Sequence, residues 1–176
     1  MTSNNILDSY LKRISYKDKD ALVSLYMETK TSVYAYALSI LKNKSLAEEV
    51  MQEVYIKIYE NAYLYNSKDK PLSWILTIVK NTSLMKLRKE KVTEDIDLFK
   101  EKIGKKDNIN SKLFLSYLFD KISKEERDII ILHIVSGFKF KEISTFLNIP
   151  LGTVLSKYKR SLSKLKSVAK EDMYEE

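Results

Sequence analysis

The side chains of this chain that could do chemistry are cations and aromatic rings, not nucleophiles or metal ligands. Residues Phe140 to Arg160 read FKEISTFLNIPLGTVLSKYKR. From Thr153 onward, Val154, Tyr158, Leu162 and Leu165 recur at helical spacing, and Ser156, Lys157, Lys159, Arg160 and Lys164 fall opposite them. Residues 139–170 hold eight Lys or Arg and one acid, Glu142. A solvated face mixes signs, whereas a nearly all-positive one is matched to phosphates. Spacing alone would also suit a helical hairpin inside any bundle, so the charge separates the two readings. Catalytic chemistry finds no support. The one histidine, His133, sits in the apolar run IIILHIV and reads as a core or hairpin-lining residue. Three glycines cannot make a phosphate-cradling loop of the usual pattern, and with no cysteine there is neither a disulfide nor a thiolate metal site. No enzyme activity, metal or cofactor is expected.

Those cations need a scaffold, and the sequence supplies one made of helices. Only two prolines and three glycines occur in 176 residues, and strand-like alternation is absent. A short helix is expected over Asn5–Ile14. A long one should start near Asp18 with Leu22, Leu25, Tyr26, Val33, Ala37, Ile40 and Leu41 inward, and break at Asn43 and Lys44. Ser45 and Glu48 form a candidate capping box for a third helix, which buries Leu46, Val50, Val54 and Ile58 and ends near Ala62. Tyr63 to Lys70 (YLYNSKDK) is a polar loop studded with aromatics. Pro71 starts a helix through Trp74, Ile75, Ile78, Leu84 and Leu87 into a basic run ending at Lys91. Periodicity fades over 92–110, a flexible connector by composition. Helices resume near Ser111 with Leu113, Leu115, Leu118 and Phe119, and Ser123 caps one through Ile134.

The C-terminal hairpin then follows from local chemistry. Ile143, Phe146 and Leu147 form the inward stripe of its first helix, and Asn148 tolerates a left-handed backbone. Pro150 suits a helix start, and Gly152 is expected to let the two backbones approach closely. The result is a helix-turn-helix whose second helix, Thr153 to Lys166, fits a DNA major groove. The formal net charge is +7, unevenly placed, which points to a polyanionic partner. No apolar run approaches the roughly twenty residues of a bilayer span, and the start MTSNNILDSYLKR lacks a signal-peptide pattern, so a cytoplasmic location is expected.

Longer stretches resemble a known family. AEEVMQEVYIKIYENAYLYNSKDKPLSWILTIVKNTSLMKLRK looks like the sigma-two domain of the extracytoplasmic-function (ECF) sigma factors. Ala47-Glu48-Glu49-Val50, Gln52-Glu53, Trp74-Ile75, Ile78 and Asn81 fall in that domain's order and spacing. ISKEERDIIILHIVSGFKFKEISTFLNIPLGTVLSKYKRSLSKL follows the sigma-four pattern, most specifically Ile149 to Val154 and then Ser156. The resemblance covers about residues 18–91 and 111–168. It implies an all-α chain of two small helical domains joined by a flexible linker: 1–91 for core RNA polymerase binding, minus-ten recognition and melting, 92–110 as linker, 111–170 for minus-thirty-five recognition, and an acidic, frayed tail at 171–176.

The same resemblance assigns roles. Glu49, Gln52, Glu53, Tyr55 and Ile56 would meet core polymerase, with Lys57 at the edge of that contact. Apart from the family likeness, glutamates in such a place read as a solvated face. Tyr65, Asn66, Ser67, Lys68, Asp69, Lys70 and Asn81 would capture an unstacked minus-ten base by stacking and amide hydrogen bonds. Lys80, Lys86, Arg88 and Lys89 would hold phosphates. Thr153, Leu155, Ser156, Lys157, Lys159 and Arg160 would read the minus-thirty-five duplex, Thr153 through a phosphate at the helix start. Leu155 and Lys157 depart from the family's usual basic residue and arginine. Leucine packs on a thymine methyl and lysine lacks the planar fork for guanine, so an AT-leaning upstream element is expected, with Arg160 the better guanine reader. An anti-sigma partner is also implied. The residues alone leave two other readings: a stand-alone helix-turn-helix regulator and a helical adaptor without DNA.

Overall fold

The computed structural model describes residues 3–67, 70–96 and 121–174. Among them the regular elements are all helices, and the chain divides into two units, Met1–Leu87 and Arg88–Glu176. In the first unit α1 spans Ser3–Ser15, α2 Lys19–Leu41 and α3 Lys44–Asn61. A 3₁₀ turn at Ala62–Leu64 follows, and α4 runs over Pro71–Ile96. Leu7, Leu11 and Ile14 lie one above another on α1 and are buried. Leu25, Val33, Ala37 and Ile40 of α2, Val50, Val54 and Ile58 of α3, and Ile75, Leu76 and Val79 of α4 are buried in the same unit. Each buried Val, Leu or Ile among them contributes about 1.5–3 kcal/mol of burial free energy.

The helix ends show how the chain is cut into these pieces. Asp18 caps α2 by accepting from Ala21 N at 3.1 Å, and Arg13 braces the same carboxylate at 2.8 Å. Lys42 takes a left-handed conformation (φ 54°) that ends α2. The sequence-based capping box at Ser45 and Glu48 does not form. Asn43 is the residue with extended backbone, and its side chain accepts from Leu46 N at 3.1 Å, which places Ser45 inside the first turn. The helix-breaking residue is therefore also the cap. The loop expected from Tyr63 begins instead with the 3₁₀ turn, and α4 continues as far as Ile96, past the basic run.

In the second unit α5 covers Lys124–Ile130 and passes into a π-helical turn at Ile131–Val135. Helix α6 spans Phe140–Leu147 and α7 Leu151–Tyr174. The capping box expected at Ser123 is present: Glu126 N donates to Ser123 Oγ at 3.3 Å and Ser123 N to Glu126 Oε2 at 2.8 Å. The helix expected to run to Ile134 widens into the π turn, after which Gly137 (φ 71°) reverses the chain. Asn148 adopts φ 55° between α6 and α7. Gly152 does not mediate close packing, because a Cβ built there would meet nothing within 4 Å. Residues 171–174, expected to fray, are helical. Most of the expected linker, and the helix expected to resume at Ser111, lie outside the described residues.

Candidate nucleic-acid interface

A pocket of about 290 Å³ opens on the first unit between the end of α3, the 3₁₀ turn and α4. Its floor and rim are apolar (Leu64, Trp74, Ile78, Met85), and Lys57, Asn61, Asn81 and Thr82 supply polar groups. Trp74, Ile78, Asn81, Thr82 and Met85 form one stripe of α4 at helical spacing. Asn81 is exposed, so its amide is available to a ligand. Lys57 Nζ donates to Thr82 Oγ1 at 3.1 Å and pairs with Glu53 at 2.6 Å. Asn61 Nδ2 donates to the Lys57 carbonyl at 2.9 Å. An aromatic and aliphatic wall with amides and one cation matches an unpaired base, whose faces stack and whose edges carry donors and acceptors. Of these lining residues the sequence places only Asn81 at a base pocket; Trp74 and Ile78 were legible only as helix and motif residues, and Lys57, Asn61, Leu64, Thr82 and Met85 were not expected there. The i, i+4, i+7, i+11 recurrence from Trp74 to Met85 was the available signal.

The loop leading into α4 is anchored from the N-terminus. Tyr65 Oη donates to Asp8 Oδ1 at 3.0 Å, and its ring meets Trp74 edge-on at 5.5 Å between centroids. Asp8 also pairs with Lys12 at 2.8 Å. The Lys12 contact lowers the Asp8 carboxyl below its ordinary 3.8; partial burial opposes this, and Tyr65 and Ser67 reinforce it. Asn66, Ser67 and Lys70 are exposed beside this anchor. Lys68 and Asp69, named with them, lie outside the described residues.

Helix α3 presents Glu49, Gln52, Glu53 and Ile56 on one exposed stripe, Ile56 at 58%. Tyr55 leaves that group. It turns inward against α2, where its hydroxyl meets Thr29 Oγ1 at 2.8 Å and its ring meets Tyr26 edge-on at 5.0 Å. Burial pushes its phenol up to about 12, despite the Thr29 bond. The stripe reaches across to α4 where Glu49 pairs with Lys86 at 2.6 Å. Lys80 is half-buried, and Arg88 and Lys89 are exposed further along α4.

In the second unit α7 exposes Leu155, Ser156, Lys159 and Arg160 and half-buries Thr153. Ser156 Oγ donates to the Thr153 carbonyl at 3.0 Å. Val154 is fully buried and Tyr158 half-buried. His133 stacks on Phe140 at 4.2 Å, meets Tyr158 edge-on at 5.0 Å, and its Nδ1 lies 2.8 Å from the Phe138 carbonyl, so it lines the hairpin. Lys157, half-buried, and Lys164, exposed, are both engaged in ion pairs. Both turn toward α5, Lys157 to Glu125 at 2.7 Å and Lys164 to Glu126 at 3.3 Å. At 3.6 residues per turn Lys157 sits about 160° around the helix from Lys159 but about 60° from Arg160, at the edge of the exposed face.

Two helical units, one ending in a helix-turn-helix, are the arrangement of a class of DNA-binding transcription proteins. Sigma-70 region 2 matches residues 25–93, and Sigma-70, region 4 matches residues 115–165. The chain belongs to the sigma-70 family, as an ECF-type RNA polymerase sigma factor that directs transcription initiation. It is 24% identical over 172 residues to the ECF RNA polymerase sigma factor SigK of Mycobacterium ulcerans (strain Agy99), covering 92% of each chain. With SigK of Mycobacterium sp. (strain KMS) the identity is 23%, over 92% of this chain and 89% of the relative. The fold is similar to that of CnrH, solved in complex with the cytosolic domain of CnrY (TM-score 0.68, 15% identity, 95% of this chain and 99% of that one). It is also similar to RpoE, solved with the anti-sigma factor NepR from Bartonella quintana (TM-score 0.64, 21% identity, 82% and 94%). Among the described residues no helix is long and apolar enough to cross a membrane.

Proposed function

We propose that this sigma factor reads a two-part promoter, with the α4 pocket taking one base of the opened minus-ten strand and α7 lying on the minus-thirty-five duplex. The observation that carries this reading is the pocket itself. Asn81 stands exposed at the wall of a cavity with the size, aromatic lining and amide content that an extruded base requires. Base capture must offset a few kcal/mol of unstacking, which an apolar pocket with amide hydrogen bonds supplies. Asn66, Ser67 and Lys70 border the strand's path, Lys68 and Asp69 belong to the same segment, and Tyr65 fixes the segment rather than stacking on DNA. Lys80, Arg88 and Lys89 hold phosphates, and Lys86 reaches one only when its pair with Glu49 opens. Thr153, Leu155, Ser156, Lys159 and Arg160 face the duplex. Glu49, Gln52, Glu53 and Ile56 form the stripe for core polymerase, and Tyr55 supports that stripe from beneath.

The protein works without covalent chemistry of its own and in the cytoplasm, where polymerase and promoter are. Domain boundaries near 91 and 111 fit the two matched regions. CnrH and RpoE were both solved with partner proteins, RpoE with an anti-sigma factor, which supports a dedicated inhibitor for this chain as well. The test is promoter-dependent transcription in vitro with purified core polymerase. Wild type should initiate at a selected promoter, and Asn81→Ala should reduce initiation at least tenfold. If wild type instead footprints inverted repeats as a dimer without polymerase, the chain is a stand-alone regulator.

A further inference from the structure

The recognition helix carries more positive charge in its sequence than it offers to DNA, and two acids on α5 are the reason. Glu125 and Glu126 stand side by side in the first turn of α5. Lys157 and Lys164 lie two turns apart along one flank of α7, and each acid holds one of them. The Glu126 clamp is built in: its side chain is 3% exposed and shared with the Ser123 cap. The Glu125 clamp is different. Glu125 is 56% exposed and Lys157 25%, so this pair lies at the surface beside the face proposed to meet DNA.

We propose that Glu125 is a positioning residue that sets promoter specificity by keeping Lys157 off the DNA backbone. The inference rests on α7 being the duplex reader. A lysine at the edge of that face, with a flexible four-carbon stem and three donors, reaches the nearest phosphate unless something holds it. A phosphate contact adds affinity for every sequence alike, whereas contacts to base edges separate one sequence from another. Holding Lys157 at 2.7 Å thus leaves duplex binding to the side chains that face the bases, Leu155, Ser156, Lys159 and Arg160. An exposed pair contributes little to stability, so loss of the clamp should change DNA binding without unfolding the domain.

The experiment compares full-length protein in holoenzyme on a promoter duplex and a random duplex across a salt series. Glu125→Gln should tighten binding to random DNA and steepen the dependence of log K on log salt by about 0.9, the value of one added phosphate contact. The promoter-to-random ratio should fall several-fold. Lys157→Gln alone should leave the slope within error, and adding it to Glu125→Gln should restore the wild-type slope. An unchanged slope in Glu125→Gln overturns the proposal. So does a steepened slope that persists without Lys157, because any negative charge at position 125 would then account for it. Arg160→Ala in the same assay separates the two levels. If it weakens promoter binding while Glu125→Gln is silent, only this inference fails; if it has no effect, the reading of α7 fails as well.

Discussion

Leu155 shows how much one side chain on an exposed face can decide. It is 43% exposed on the side of α7 that also presents Ser156, Lys159 and Arg160. Leucine donates no hydrogen bond but packs on a thymine methyl, so Leu155→Arg should move the preferred base opposite it from thymine to guanine. A good bidentate contact discriminates by about 1–3 kcal/mol, so the shift in a selection from randomised promoters should be about 5- to 150-fold. Recovery of guanine opposite the wild-type leucine would rule this out. Asp8 acts through protonation instead. Lys12, Tyr65 and Ser67 hold its carboxyl below 3.8 in the folded chain against the opposing effect of burial. A group with a depressed folded pKa stabilises the fold fully above the unfolded value and loses that contribution as the pH falls through the folded one. Asp8→Asn should therefore destabilise the first unit at neutral pH, and the difference from wild type should fade below about pH 3.8. Urea unfolding followed by Trp74, the one tryptophan and the ring against Tyr65, reads this directly.

At the scale of elements, the ends of helices decide where the site residues fall. Asn43 both follows the left-handed Lys42 and caps α3, which sets the rotation that turns Glu49, Gln52, Glu53 and Ile56 outward and Tyr55 inward. Asn43→Ala should cost about 1 kcal/mol in thermal or chemical denaturation, whereas Ser45→Ala, inside the helix, should change stability by only a few tenths. The reverse order would restore the sequence-based cap. Apolar spacing made the helices legible: Leu25, Val33, Ala37 and Ile40 of α2, Val50, Val54 and Ile58 of α3, and the Ser123–Glu126 box were all in the pattern. It did not reveal which of two neighbouring polar residues takes the extended backbone, because Asn43 and Ser45 are both good caps and only the left-handed turn before them decides. Nor could it show that Lys157 turns to Glu125, since a pairing across 32 positions leaves no local trace. Tyr55 was misplaced for a related reason. It lies beside the exposed stripe in sequence, and only the ring of Tyr26 and the hydroxyl of Thr29 on α2 draw it inside.

For the whole molecule, the proposed function gives one chain two readers whose contributions to initiation are separable. In the proposed function the duplex face of α7 acts before the DNA opens, so Arg160→Ala should lower promoter occupancy by about 5- to 150-fold, the range of one lost bidentate contact. The fraction of bound complexes that open should stay the same. In the same proposal the α4 pocket acts only once a base has left the stack. Asn81→Ala should therefore leave the first complex intact and lower the opened fraction by at least tenfold, as loss of part of the few kcal/mol that offsets unstacking requires. Footprinting with holoenzyme measures occupancy, and permanganate reactivity of the minus-ten thymines measures opening, on the same samples. Salt sharpens the distinction. Occupancy depends on phosphate contacts from a chain of net charge +7 and should fall steeply as salt rises, while the Asn81 effect on opening, carried by an uncharged amide, should be nearly independent of salt. If Asn81→Ala lowered occupancy and opening together, the pocket would belong to the fold of the first unit or to polymerase docking; a loss confined to opening assigns it to the exposed strand.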